Sequence, residues 1–99
     1  MKITKSETEK NIVVAVDGRV DTTTASELAA ELNSAAAKTQ QIVLDCEKLI
    51  YISSAGLRVL LSAHKGMNKK GGYFVIKNVS TDVREIFDIT GFSKILIFA

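Results

Sequence analysis

The sequence contains no proline, one cysteine and one histidine, and each scarcity excludes something. Without proline there are no rigid Pro-rich linkers, and no Pro/Gly/Ser-rich tract or internal repeat divides the chain, so residues 1–99 are expected to form a single domain. A lone cysteine, Cys46, cannot make an internal disulfide and has no companion for a metal or redox site, so a buried or half-buried thiol is the simplest expectation. No apolar run approaches the ~20 residues that cross a membrane. The start, MKITKSETEK, lacks the apolar stretch of a secretion signal, and a cytoplasmic location is expected. Thirteen basic residues against eleven acidic leave a net charge of only +2. The basic residues are scattered, Lys69-Lys70 being the only adjacent pair, so no stripe is available to track a nucleic-acid backbone.

The apolar share of 46% is enough for an ordinary packed core, and its patterning yields the elements. Lys2–Glu7 reads as a polar edge strand, Thr8–Asn11 as a turn, and Ile12, Val14 and Val16 as the inward side of a second strand ending at Gly18. Together they make a hairpin. Asp21 and Thr22–Thr24 are N-cap candidates for a helix over Ala25–Lys38, whose apolar sector is mostly alanine. Gln41–Asp45 and Tyr73–Ile76 read as interior strands. Between them a helix starts near Ser54 with a narrow polar stripe of Arg58, Ser62, Lys65 and Lys69, and Gly71-Gly72 ends it. A third helix buries Val83, Ile86 and Phe87 and stops at Gly91; Ile95–Phe98 is a last strand. The order β-β-α-β-α-β-α-β predicts an α/β fold with a mixed, mostly parallel sheet, an N-terminal hairpin and helices on one face.

The stretch YISSAGLRVL, Tyr51–Leu60, puts two serines where a strand hands over to a helix. In open α/β sheets functional residues gather beyond the carboxyl ends of the strands. One reading is capping, since serine satisfies the orphan N–H groups of a helix start; the other is that a hydroxyl is displayed to another protein, with small Ala55 and Gly56 leaving the first turn uncovered. A serine hydrolase fits poorly: GxSxG is absent, and the only histidine, His64, falls in the apolar sector of its own helix. Gly71-Gly72 is not a phosphate loop, because no strand–Gly-rich–helix order surrounds it. No cofactor site is expected.

YISSAGLRVLL resembles the signature of STAS domains, in particular the anti-sigma factor antagonists. GRVDTTTASEL, Gly18–Leu28, is similar to that family's Gly-x-Leu/Val-Asp-x-x-Thr-Ala segment, and VREIFDITGFSKILIF, Val83–Phe98, to its closing helix and strand. The resemblance implies a STAS-like fold and a protein–protein switch without catalysis of its own. The unphosphorylated domain would bind an anti-sigma factor that is also a serine kinase of the GHKL type and release the sigma factor. Phosphorylation would separate the pair, and a PP2C-type phosphatase would reset it. Aligned on Gly56-Leu57, the phospho-acceptor is Ser54, with Ser53 standing where the best-known members carry aspartate and forming a second candidate. Partner contacts are expected from Asp21, Thr22, Thr23, Ser53, Ser54, Ala55, Gly56 and Arg58. The competing possibilities are a non-switching STAS subunit of a transporter or signalling complex and a small-ligand or nucleotide module. No nucleic-acid or membrane partner is expected.

Overall fold

The computed structural model describes residues 1–99, and its elements follow the expected order: β1 Lys2–Glu7, β2 Ile12–Val20, α1 Ala25–Ala36, β3 Gln41–Ile52, α2 Ser54–Lys69, β4 Tyr73–Lys77, α3 Thr81–Thr90 and β5 Ile97–Phe98. The strands lie side by side in sequence order; β1 is antiparallel to β2, and every later pair is parallel. Right-handed crossovers that always step in one direction put every helix on the same face of the sheet. Burial agrees. Ile12, Ile42 and Phe74 share one register row and Val14, Leu44 and Ile76 another, all buried beneath helices. Val13, Val43 and Val75, which alternate with them, are only half-buried on the other face.

Helix α1 meets the sheet through Ala25, Leu28, Leu32 and Ala35, and its alanines let it lie close to α2 as well. Helix α2 buries Leu57, Leu60 and Met67 and leaves Arg58, Ser62, Lys65 and Lys69 exposed, as the wheel predicts. Helix α3 is capped by Ser80, whose side chain accepts from the Val83 amide, and ends at Gly91. These faces join the strands in one cluster of 21 buried residues.

Several boundaries differ from expectation. Helix α1 ends at Ala36 instead of Lys38, and β4 extends one residue to Lys77. Strand β2 does not stop at Gly18 but runs to Val20. Gly18 takes φ +106°, a conformation open to glycine, and the ladder resumes beyond a register shift with Arg19 opposite Tyr51. Strand β3 likewise continues from Asp45 to Ile52. The expected last strand Ile95–Phe98 shrinks to Ile97–Phe98, because Phe92–Lys94 winds into a single 3-10 turn first. Strand β4 ends its pairing at Lys77 opposite Asp45 and β1 ends its own at Lys2 opposite Asp17, so beyond Asp17 the last residues of β2 and of β3 project as a two-stranded ribbon.

Candidate functional site

The ribbon ends with Val20 paired to Ile52, and the Ser53 amide donates to the Val20 carbonyl at 2.8 Å. From that fixed point the chain leaves β2 into the Asp21–Thr24 turn and leaves β3 into Ser53-Ser54. Residues 29 to 33 positions apart in sequence therefore emerge together at the carboxyl end of two parallel strands.

The two serines divide the roles that were both open from the sequence. Ser53 has extended geometry (φ −84°, ψ 173°), and its Oγ accepts from the Gly56 amide at 3.3 Å. It is the N-cap of α2, and its carbonyl accepts from Leu57 at 2.9 Å. Ser54 is the first residue inside the helix and is exposed, whereas Ser53 is half-buried.

Gly56 works from beneath. It is buried, and a β-carbon there would stand 2.6 Å from Ile52 Cγ1 and 2.8 Å from Val20 Cγ1. Its small size serves close packing of α2 on the ribbon, and it does not lie on the surface with Ser54 as the sequence reading had it. Ala55 is half-buried and lines a shallow groove between α1 and α2.

Asp21 organises the neighbouring turn. One carboxylate oxygen, Oδ1, accepts from the amides of Thr23 and Thr24, each at 3.0 Å, and from the hydroxyls of Thr23 at 2.7 Å and Thr24 at 3.0 Å. The Asp21 amide donates in return to Thr24 Oγ1 at 2.9 Å, and its carbonyl accepts from Ala25 at 2.9 Å. These donors favour the charged form, the Thr23 hydroxyl foremost, and lower the carboxyl pKa to about 2. Thr24, not Asp21, holds the N-cap position of α1, and its side chain makes no cap bond to the helix. Asp21 instead caps the turn that leads into it. Thr22 and Thr23 are exposed on that turn.

Arg58 is exposed one turn into α2 and lines the α1–α2 groove with Thr22 and Ser26. His64 is buried on the opposite side of the helix from the polar stripe, its Nε2 3.1 Å from the Asn68 side-chain Nδ2. It lies ten residues along α2 from Ser54, almost three turns, and offers Ser54 no base. Cys46 is fully buried, and burial, with the Asp45 charge adding to it, pushes its thiol pKa up to about 12. No group of three or more His, Cys, Asp or Glu side chains is placed to hold a metal ion.

Sequence reasoning passed over Val20. Val20 supplies both the carbonyl that holds Ser53 and a methyl that packs on Gly56. The period-two spacing Val16, Gly18, Val20 was the available signal.

Comparison with known proteins follows the same outline. A sequence profile described as the STAS domain matches residues 2–99. The chain is 38% identical over 96 residues to BtrV of Bordetella bronchiseptica, a protein named provisionally as an anti-sigma factor antagonist, covering 96% of this chain and 83% of that protein. It is 30% identical over 87 residues to the anti-sigma F factor antagonist of Paenibacillus polymyxa, covering 86% of this chain and 74% of the other. Among solved structures it is similar to the anti-sigma factor antagonist SpoIIAA in its unphosphorylated form, with a TM-score of 0.83 at 20% identity over 99% of this chain and 88% of that one. Against Bacillus SpoIIAA in the phosphorylated form the TM-score is 0.77 at 19% identity, over 99% and 91% of the two chains. At these identities the structural likeness speaks for the fold.

Proposed function

The chain belongs to the STAS domain family, and from that premise we propose that it is an anti-sigma factor antagonist gated by phosphorylation of Ser54. In the bare state the Ser54 turn docks on an anti-sigma factor that is also a serine kinase of the GHKL type, and the sigma factor held there is released. Ser54 is the substrate of that kinase. Its Oγ attacks the γ-phosphorus of the kinase's ATP. The Oγ–P bond forms, the bond from that phosphorus to the β,γ-bridging oxygen breaks, ADP leaves, and the hydroxyl proton passes to a base on the kinase. A PP2C-type phosphatase restores the hydroxyl by hydrolysis, with water supplying the new oxygen of inorganic phosphate.

The observation that carries this reading is the separation of the two serines: Ser53 is committed to the cap while Ser54 is exposed beside it. A helix start tolerates an anion, because the dipole and free N–H groups favour negative charge. A phosphate of about −1.5 to −2 charges therefore leaves this scaffold intact. A partner packed on the same turn meets a charge that must be desolvated or repelled. Around the acceptor, Asp21, Thr22, Thr23, Ser53, Ala55 and Arg58 form the contact surface, with Gly56 supporting it from below. Asp21 is held ionised and uses one oxygen for the turn, which leaves the other for a donor or metal ion on the kinase.

The test is to mix the protein with its anti-sigma factor kinase and ATP and to map the product by mass spectrometry. One phosphate confined to the Ser53-Ser54 peptide, located on Ser54 by fragmentation, is the expected result. No transfer from a kinase that is active on another substrate, or phosphate on Ser53 alone, overturns it.

A further inference from the structure

The chain has three arginines, and two of them are occupied. Arg19 lies over the Tyr51 ring at 4.5 Å; Arg84 lies over Phe98 at 4.3 Å and within 3.4 Å of Asp88. Arg58 takes part in none of the ion pairs, which are Lys5–Glu31, Lys38–Glu7 and Arg84–Asp88. It is exposed and stands four residues after Ser54 on the same helix. Positions i and i+4 share a helix face with β-carbons about 5–6 Å apart, and long helical side chains lean toward the N-terminus. That geometry puts the Ser54 end within reach of the Arg58 side chain. No acidic residue in the first turn of α2 competes for the guanidinium, whereas α1 and α3 carry Glu27 and Asp82 there. On its other side Arg58 borders the groove of about 430 Å³ between α1 and α2, and it is the only charged side chain lining that groove.

We propose that Arg58 is the intramolecular partner of the modified Ser54: its guanidinium closes on the phosphate oxygens and withdraws from the groove. This rests on Ser54 being the acceptor. The guanidinium fork suits a phosphate, which it can hold through paired N–H···O bonds. One modification then changes two features of the docking face together. The hydroxyl becomes an anion, and the groove beside it loses its cation. An acidic partner group that meets Arg58 in the bare state finds that contact withdrawn in the modified state.

The experiment places phosphoserine at position 54 during translation, so that it does not depend on any kinase, and follows the phosphate by 31P NMR against pH. The second ionisation, ordinarily near pH 6, is expected lower in the phosphorylated protein. Arg58→Gln is expected to raise it by about half a pH unit, roughly a threefold change in proton affinity, with Arg58→Lys in between. Lys65→Gln, two turns further along the exposed stripe, is expected to leave the midpoint in place. Equal midpoints for the Arg58→Gln and unsubstituted proteins overturn the proposal, and so does an equal shift from Lys65→Gln, which would mark a general field instead of a contact. A kinase that never modifies Ser54 is a different failure; it removes the acceptor reading and is seen in the mass-spectrometric test alone.

Discussion

The amide of Ser53 donates to the carbonyl of Val20 at 2.8 Å, the bond at which the β2–β3 ribbon ends and the candidate docking turn begins. It ties the start of α2 to the segment that carries Asp21. The position of Ser54 is therefore set by the sheet as well as by its own helix. The N-cap beside it is part of the same fixture. Ser53→Ala is expected to cost ~0.5–2 kcal/mol, a drop in melting temperature of about 4–8 °C per kcal/mol for a domain of this size. Ser54→Ala, at an exposed position with no cap role, is expected to leave the melting temperature nearly unchanged. Thermal unfolding of the two variants side by side checks the division of roles; equal losses would refute it.

Gly56→Ala probes the packing beneath the turn. The added methyl would meet Ile52 and Val20 at 2.6 and 2.8 Å, distances that side chains do not sustain. Relief requires α2 to lift or both side chains to move, and overpacking of this kind costs ~1–3 kcal/mol. Denaturant unfolding is expected to show that loss, together with weakened binding to the anti-sigma factor as Ser54 shifts.

The Asp21 carboxyl titrates at about 2, below its ordinary value of 3.8, because four donors from Thr23 and Thr24 favour the ionised form. A folded-state pKa below the unfolded one means that the stabilisation is complete above pH 3.8 and is lost as pH falls toward about 2. The stability gap between the protein and Asp21→Ala is expected to be constant at neutral pH and to narrow over that acid window. Carboxyl 13C shifts give the midpoint directly, and a value near 3.8 would show that the turn does not form as described.

Much of this arrangement was legible in the sequence, and the exceptions share a cause. Alternation placed the inward residues of β2, and helical wheels identified the buried faces of α1, α2 and α3, because each of those elements sets an apolar side against a polar one; β1 was legible by the opposite sign, a polar run fit only for a sheet edge. The far half of β3 was missed because Glu47, Lys48 and Ile50 lie exposed beyond the point where β4 stops pairing with it, and there hydropathy stops reporting strand. Gly18 looked like a terminator and is a bend within a continuing strand. At the site, the resemblance in YISSAGLRVLL located the turn, but spacing alone could not divide capping from display. That division depends on which hydroxyl meets the Gly56 amide, and only the three-dimensional geometry supplies it.

Cys46 sits at the root of the same ribbon, fully buried with its thiol pushed up to about 12. Only the thiolate is an effective nucleophile, so the native protein is expected to resist alkylation at pH 8 and to react at the ordinary rate of a free thiol once unfolded. The rate in mild denaturant then reports the opening of the β2–β3 end of the sheet. Rapid labelling of the native protein would contradict the burial.

Charge at position 54 should separate stability from affinity. Ser54→Asp puts a carboxylate on the first residue of α2, where the helix dipole and free amides favour it, so the melting temperature is expected to hold within a few degrees or rise slightly. The same charge faces any partner docked on the turn. A loss of ~3 kcal/mol in binding corresponds to a more than hundredfold weaker complex, which calorimetric titration against the anti-sigma factor would register as little or no heat. Ser53→Asp is the matched control: aspartate is also a good N-cap, so the fold is kept while the charge moves to the half-buried neighbour. Strong loss of binding for Ser54→Asp with a smaller loss for Ser53→Asp is the expected order. If Ser54→Asp binds as tightly as the unsubstituted chain, the turn is not the gate.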